Sequence, residues 1–183
     1  SSFDALARTP AVQSRAREIR HELGDPQVVL LGVDRLDYTK GIRHRLKAYG
    51  ELLAEGRLTV PECTLVQVAS PSRQNVGAYQ TLRDDVETTV GRINGEFGAL
   101  GQTAVHYLHQ SYPRAEMAAI FLPADVMLVT PLRGGMNPVA KEYVSGRDDL
   151  GGPRGIRGHR GARGEPRPAV VRHPPGSAVS RHH

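Results

Sequence analysis

Four short apolar runs, alternating with helical patterns, constrain this chain more than any other feature. They are Val28-Val29-Leu30-Leu31-Gly32-Val33, Leu65-Val66-Gln67-Val68-Ala69, Val105-His106-Tyr107-Leu108 and Val126-Met127-Leu128-Val129. The first is continuously apolar, as expected of a strand covered on both faces. Thr9-Pro10 reads as the N-cap and first residue of a helix that stops near Gly24. Further helices are expected over 42–55, 76–93, 114–121 and 137–145. In 76–93 the apolar positions Tyr79, Leu82, Val86, Val90 and Ile93 recur at spacings of three and four. Strands alternating with helices imply an α/β fold: a Rossmann-like, mostly parallel sheet flanked by helices. Ligands on such sheets sit beyond the carboxyl ends of the strands. The candidate site loops are therefore 34–41, 70–75, 109–113 and 130–138.

Charge divides the chain. The net charge of +5 suggests a nucleic-acid binder, but residues 151–183 hold seven Arg against one Glu, and residues 1–150 hold 17 Lys and Arg against 18 Asp and Glu. The body is near neutral and lacks the basic–aromatic interleaving of a single-strand nucleic-acid binder. Cys63 is alone, so neither a disulfide framework nor a cysteine zinc site is expected, and a reducing, cytoplasmic setting is the default. No run approaches the ~18 apolar residues that cross a membrane. The start, Ser-Ser-Phe-Asp, has no basic-then-apolar leader and reads as the middle of a longer protein. His21, His44, His106 and His109 fall on different elements without a metal-binding spacing, so no metal is assigned.

Three constellations could carry chemistry. In Asp34-Arg35-Leu36-Asp37-Tyr38-Thr39-Lys40-Gly41, Arg35 and Lys40 would stand at a strand's carboxyl end beside a helix N-terminus. That suits a diphosphate, because cations and backbone N–H groups converge on one anion. A solvated loop with an internal Asp–Arg pair is the competing reading. In 129–143, two glycines, Gly134 and Gly135, precede a helix start at Asn137-Pro138-Val139, and Glu142 lies about one turn in, placed to reach ribose hydroxyls. A glycine-rich turn before a surface helix is the alternative there. Arg73, after the second strand, could meet a second substrate's phosphate or be an ordinary surface arginine.

Together these motifs resemble the trehalose-6-phosphate synthase family, retaining glycosyltransferases of two Rossmann-like domains (the GT-B architecture). The resemblance runs over 25–150. It rests on Gly-Val-Asp-Arg-Leu-Asp-Tyr-Thr-Lys-Gly at 32–41, Gly-Arg-Ile-Asn-Gly at 91–95, and Val-Thr-Pro-Leu-Arg, Gly-Met-Asn and Val-Ala-Lys-Glu-Tyr-Val at 129–144. It implies transfer of glucose from UDP-glucose, or another nucleotide-diphosphate glucose, to glucose 6-phosphate, with no cofactor and no metal. Residues 1–24 would lead in from a preceding domain, and 25–150 would be part of the donor-binding one. By the same resemblance Arg35 and Lys40 are catalytic cations on the donor diphosphate. Asn137, Pro138, Val139 and Glu142 bind the donor, and Arg73 reaches the acceptor phosphate. Gly134 stands where the family has an Asp that binds the donor glucose, and Pro138 where the family usually has Leu. The first change removes a charge-assisted contact of about 1.5–3 kcal/mol, and the second deletes an N–H. This stretch alone is expected to be inactive. A relative acting on another phosphorylated acceptor, such as glycerol 3-phosphate, is one alternative; nucleic-acid binding through the tail is another. The sequence leaves a homo-oligomer open.

From Gly152 glycine recurs every third residue, with arginines between. Codons allowed for 151–161, read one base forward, can spell Ala-Leu-Val-Val-Ser-Glu-Val-Thr-Gly. The family continues with a segment resembling Gly-Ala-Leu-Val-Leu-Ser-Glu-Phe-x-Gly. Residues 151–183 are thus expected to be a frameshifted, disordered tail, leaving the sheet short of its last strands.

Overall fold

The computed structural model describes residues 2–72 and 76–129, together with the backbone of 156–157 and 169–172. Helices α1 (Phe3–Ala7) and α2 (Pro10–Glu22) come first. They are followed by β1 (Val28–Arg35), a short 3-10 turn (Tyr38–Lys40), α3 (Ile42–Ala54), β2 (Cys63–Ser70) and α4 (Val76–Phe97). Strand β3 (Val105–Leu108), α5 (Arg114–Phe121) and β4 (Val126–Val129) follow, and β5 (Ile156–Arg157) and β6 (Ala169–Arg172) come last. The strand order is β3-β2-β1-β4-β6-β5, with the first four parallel. This is the expected Rossmann-like core. Among the described residues no helix is long and apolar enough to cross a membrane.

Strand period sorts β1 into two faces. Leu30 packs with Ile42, Leu46, Tyr49 and Leu53 of α3 and with Leu82, Val86, Val90 and Ile93 of α4. Val29, Leu31 and Val33 face the other way, against Ile120 and Phe121 of α5. The sheet is therefore sandwiched, and six consecutive residues of β1 are buried. Helices α1 and α2 join through α5, where Ala7, Val12 and Ala16 pack on Ala118, Ala119 and Leu122. Arg20 secures this docking by donating to the backbone oxygens of Pro123 at 3.0 Å and Pro26 at 2.7 Å. As expected, Thr9 caps α2, accepting from the Val12 N–H at 3.4 Å, with Pro10 in the first turn.

Three elements exceed their expected bounds. β2 runs Cys63–Ser70 rather than 65–69. β1 continues through Asp34 and Arg35, and α4 runs past Ile93 to Phe97. At the end of α4 Asn94 clamps β3: its Oδ1 accepts from the Val105 N–H at 2.8 Å and its Nδ2 donates to the Val105 carbonyl at 3.0 Å. Six tail residues are described. Ala169–Arg172 pairs antiparallel with β4, and Ile156–Arg157 pairs with Ala169–Arg172. The reason is local. Ala169-Val170-Val171 is the tail's longest apolar run and is rich in β-branched residues, and the outer edge of β4 offers unpaired N–H and C=O groups. The helix expected over 137–145 lies outside the described residues.

Candidate functional site

The site is built where β1 ends and α3 begins, at the carboxyl edge of the parallel sheet. Asp34 and Arg35 pair with Ala69 and Ser70 in β2, so both belong to the sheet and not to a loose loop. Alternation sends them to opposite faces. Asp34 turns towards α3 and is 3% exposed, and Arg35 turns outward and is exposed. The chain then reverses through the turn Tyr38–Lys40, and Gly41 launches α3 at φ 69°. That left-handed conformation favours glycine. Among the described residues no side-chain cap bond is seen at the start of α3, and its first turn, with the positive dipole end, lies on the same edge as Arg35 and Lys40.

Asp37 shapes the turn. Its Oδ1 accepts from the Thr39 N–H at 2.8 Å and from the Thr39 hydroxyl, and Arg35 Nη2 approaches its Oδ2 at 3.4 Å. Burial alone would raise the Asp37 carboxyl. The Thr39 hydrogen bonds and the Lys40 and Arg35 cations outweigh it, holding the group below the usual carboxylate range. The internal Asp–Arg pair of the competing reading thus exists. It is also the device that holds Arg35 and Lys40 on one short turn. Arg43 adds a further fastening: its guanidinium lies 4.8 Å from the Tyr38 ring centroid, and its Nη1 is 3.4 Å from Asp85 of α4.

Beneath the turn lies a buried polar network. Arg45 Nη1 donates to Asp34 Oδ2 and, at 2.9 Å, to Gln67 Oε1. Arg45 and Gln67 are 1% and 0% exposed. Gln67 lies directly opposite Gly32 in the β1–β2 register. A Cβ on Gly32 would come within 2.3 Å of both Arg45 Nη1 and Gln67 Oε1, so glycine is what lets the two side chains cross β1. Burial pushes the Asp34 carboxyl above its ordinary value, and Arg45, then Lys40, pull against it without cancelling the effect. Gly32, Gln67 and Arg45 were not among the expected site residues. The signals available were an arginine on the apolar face of α3, three residues after Ile42 and one before Leu46, and a glutamine inside an apolar strand.

At the neighbouring strand ends His109 joins three elements. Its Nδ1 lies 2.9 Å from the Ala69 carbonyl, which can only accept, so Nδ1 donates there and Nε2 accepts from the Tyr79 hydroxyl at 2.7 Å. This ties β2 and the end of β3 to the first part of α4. Of the expected site residues, the structure thus places Arg35 and Lys40 together. Arg73, Gly134, Asn137, Pro138, Val139 and Glu142 lie outside the described residues.

The model of glycosyltransferase family 20 matches residues 1–160. The chain belongs to glycosyltransferase family 20. It is 58% identical over 174 residues to the trehalose-6-phosphate synthase of Mycobacterium avium (strain 104), covering 95% of this chain and 35% of that protein. The alpha,alpha-trehalose-phosphate synthase (UDP-forming) of Burkholderia xenovorans, solved with glucose-6-phosphate, superposes with a TM-score of 0.74 at 38% identity, over 84% of this chain and 33% of that one. An E. coli structure bound with UDP-2-fluoro glucose gives a TM-score of 0.72 at 39% identity, over 84% and 33%. The chain therefore spans about a third of the length of the curated relatives it matches. As a family 20 member it has the α/β fold the sequence implied, and the 34–41 turn sits within the matched region.

Proposed function

We propose that this stretch forms the donor side of a trehalose-6-phosphate synthase, binding the diphosphate of a nucleotide glucose against Arg35, Lys40 and the start of α3. The observation that carries the reading is that pair of cations held by Asp37 on one turn at the carboxyl edge of the sheet. The kinship with proteins solved with glucose-6-phosphate and UDP-2-fluoro glucose supports it. In the whole enzyme the glucosyl group passes to a hydroxyl of glucose 6-phosphate and UDP leaves. The bond to the donor phosphate breaks and leaves added negative charge on the diphosphate. Fixed cations stabilise that state more than the intact donor, so Arg35 and Lys40 contribute to rate as well as to binding. No metal or cofactor is required for this step, because the cations take that role. Arg73, Asn137, Pro138, Val139 and Glu142 complete the proposed substrate contacts. Gly134 weakens the grip on the sugar, so Gly134→Asp is expected to tighten UDP-glucose relative to UDP. A reducing, cytoplasmic setting fits the single, buried, unbridged Cys63.

Titration of the chain with UDP tests the reading. Lys40→Ala is expected to weaken binding by about 1.5–3 kcal/mol, roughly ten- to hundredfold in Kd, the size of one charge-assisted contact. Equal UDP affinity in parent and variant, or no UDP binding by the parent, refutes it. Because the stretch spans a third of its relatives, turnover of UDP-glucose and glucose 6-phosphate by it alone is not expected, and robust turnover overturns that part. The shifted-frame reading of the tail is also kept as a proposal. The family match continues to residue 160 and weighs against a boundary at 151. The gene's bases decide it: they must spell Ser-Glu one frame forward.

A further inference from the structure

The parallel core β3-β2-β1-β4 has two outer strands, and an outer strand presents backbone N–H and C=O groups that another chain can pair with. The two sides are closed differently. On the β3 side one side chain suffices. The Leu65 N–H donates to the Ala104 carbonyl at 3.0 Å, so by the alternation of a parallel ladder Val105 faces away from β2. The Asn94 amide takes both backbone groups of Val105, at 2.8 and 3.0 Å. β3 is four residues long, and past Val105 its next outward residue is Tyr107, too little for a strand to grip. On the β4 side the closure is a strand. β4 meets β1 over two residue pairs, Leu30–Val126 and Leu31–Met127, whereas β6 pairs with all four β4 residues. β5 then covers Val170 and Val171 on the far side of β6. The last strand of the sheet is thereby two residues long, a length that templates little. Pro168, directly before β6, and Pro174, two residues after it, cannot donate to a ladder, so the strand does not lengthen.

We propose that the outer edge of β4 is a strand-acceptor site, that its occupant is this chain's own segment Ala169–Arg172, and that this occupancy keeps a second copy from adding to the sheet edge to edge. The site takes an extended, antiparallel segment with β-branched residues and no internal proline, and Ala169-Val170-Val171-Arg172 has that chemistry. The segment is tethered to the edge it fills. It therefore competes at an effective concentration that a free second copy at micromolar concentration does not reach. The β3 edge needs no such strap, because Asn94 already spends the groups a partner would use. The proposal is independent of what the donor turn binds.

Val170→Pro/Val171→Pro in the full chain tests it. Of two adjacent strand residues one bonds towards β4, so one of the prolines removes a ladder N–H. The readouts are amide hydrogen exchange by NMR and light scattering at micromolar concentration. The parent is expected to be monomeric. In the variant, those amides of 126–129 that face β6 are expected to exchange about tenfold faster or more, and those of 28–33 to stay within about threefold. The variant is also expected to form dimers or larger species, which an excess of synthetic peptide 166–174 returns to monomers. Four results overturn the proposal: a parent that self-associates, parental exchange at 126–129 in the folded variant, a folded variant that stays monomeric, or oligomers that the peptide leaves intact. Because two prolines can unfold the chain, Leu128→Cys/Val170→Cys supplies a second measurement. These residues lie opposite each other, at the ~4.5–5.5 Å Cα separation of an antiparallel pair, which a disulfide spans. Oxidation is expected to link them within one chain, read on a non-reducing gel and by mass spectrometry of the linked peptides. A link between two chains, or no link, overturns the occupancy proposed.

Discussion

Among the described glycines Gly32 has the least room for a side chain, and Gly32→Ala puts one methyl group into that space. The new carbon would lie 2.3 Å from Arg45 Nη1 and Gln67 Oε1, and 3.0 Å from Gln67 Cδ. Neither neighbour has an open direction to move in, since both are at most 1% exposed. The Arg45–Gln67 hydrogen bond of 2.9 Å has to open. Losing a hydrogen bond to a charged group costs about 1.5–3 kcal/mol, and forcing a methyl group into a packed core adds about 1–3 kcal/mol. A destabilisation of about 2.5–6 kcal/mol results, a large share of the ~5–15 kcal/mol that holds a typical domain together. Urea unfolding followed by circular dichroism measures it, with the midpoint shifting and the slope unchanged. Gly91→Ala is the matched control. It sits inside α4, a Cβ there meets nothing within 4 Å, and the better helix propensity of alanine should stabilise by about 0.5–1 kcal/mol. The reasoning fails if Gly32→Ala costs less than about 0.5 kcal/mol, since an arginine and a glutamine crossing β1 at that point leave no room for so small an effect.

Two further measurements probe other parts of the frame. Thr9→Ala removes the α2 N-cap, in which the hydroxyl accepts from Val12 N–H and donates to Leu6 O at 2.8 Å; a loss of about 1 kcal/mol in urea is expected, and an unchanged midpoint refutes the cap. Burial depresses His106 below its ordinary value of 6.5, and its Nε2 is buried without a hydrogen-bond partner. The unfolded chain then takes up this proton at higher pH than the folded one, so stability is lost as pH falls from about 6.5 through the folded value. His106→Gln should flatten that part of the pH–stability curve, and an equally steep curve rules out His106 as the cause.

What could be read from the sequence was whatever depended on neighbours along the chain. The apolar run 28–33 and the three-and-four spacing from Tyr79 to Ile93 report burial directly, and the strands and helices follow. Arg35 and Lys40 were legible for the same reason: a polar turn after a buried strand, entering a helix, has one place to go in a parallel sheet. What was hidden depended on pairs distant in sequence. Asp34 looked like the first loop residue because it is charged. It is strand because Arg45, eleven residues on, lets it be buried. The helix expected to end at Ile93 runs on to Phe97, and the Asn94 amide is spent on Val105 beside it. Gly32 passed unremarked inside the apolar run, and its meaning appears only when Gln67 lies opposite it.

The tail strands carry a related lesson about what pairing means. β6 joins β4 antiparallel, with Val126 opposite Arg172 and Val129 opposite Ala169. A parallel neighbour needs a crossover of a dozen or more residues, usually through a helix, whereas an antiparallel one needs only a chain that turns back. The bonds it forms are between backbones, so the β4 edge accepts any segment of sufficient strand propensity that returns to it. Ala169-Val170-Val171 meets that requirement by composition alone. The pairing thus does not imply that the tail was selected to complete the sheet. A shifted reading frame rich in valine would be drawn to the same edge. The core from β1 to β4 is different in kind: register, burial and the Asp34–Arg45–Gln67 network there depend on particular side chains, and the donor turn depends on them in the same way.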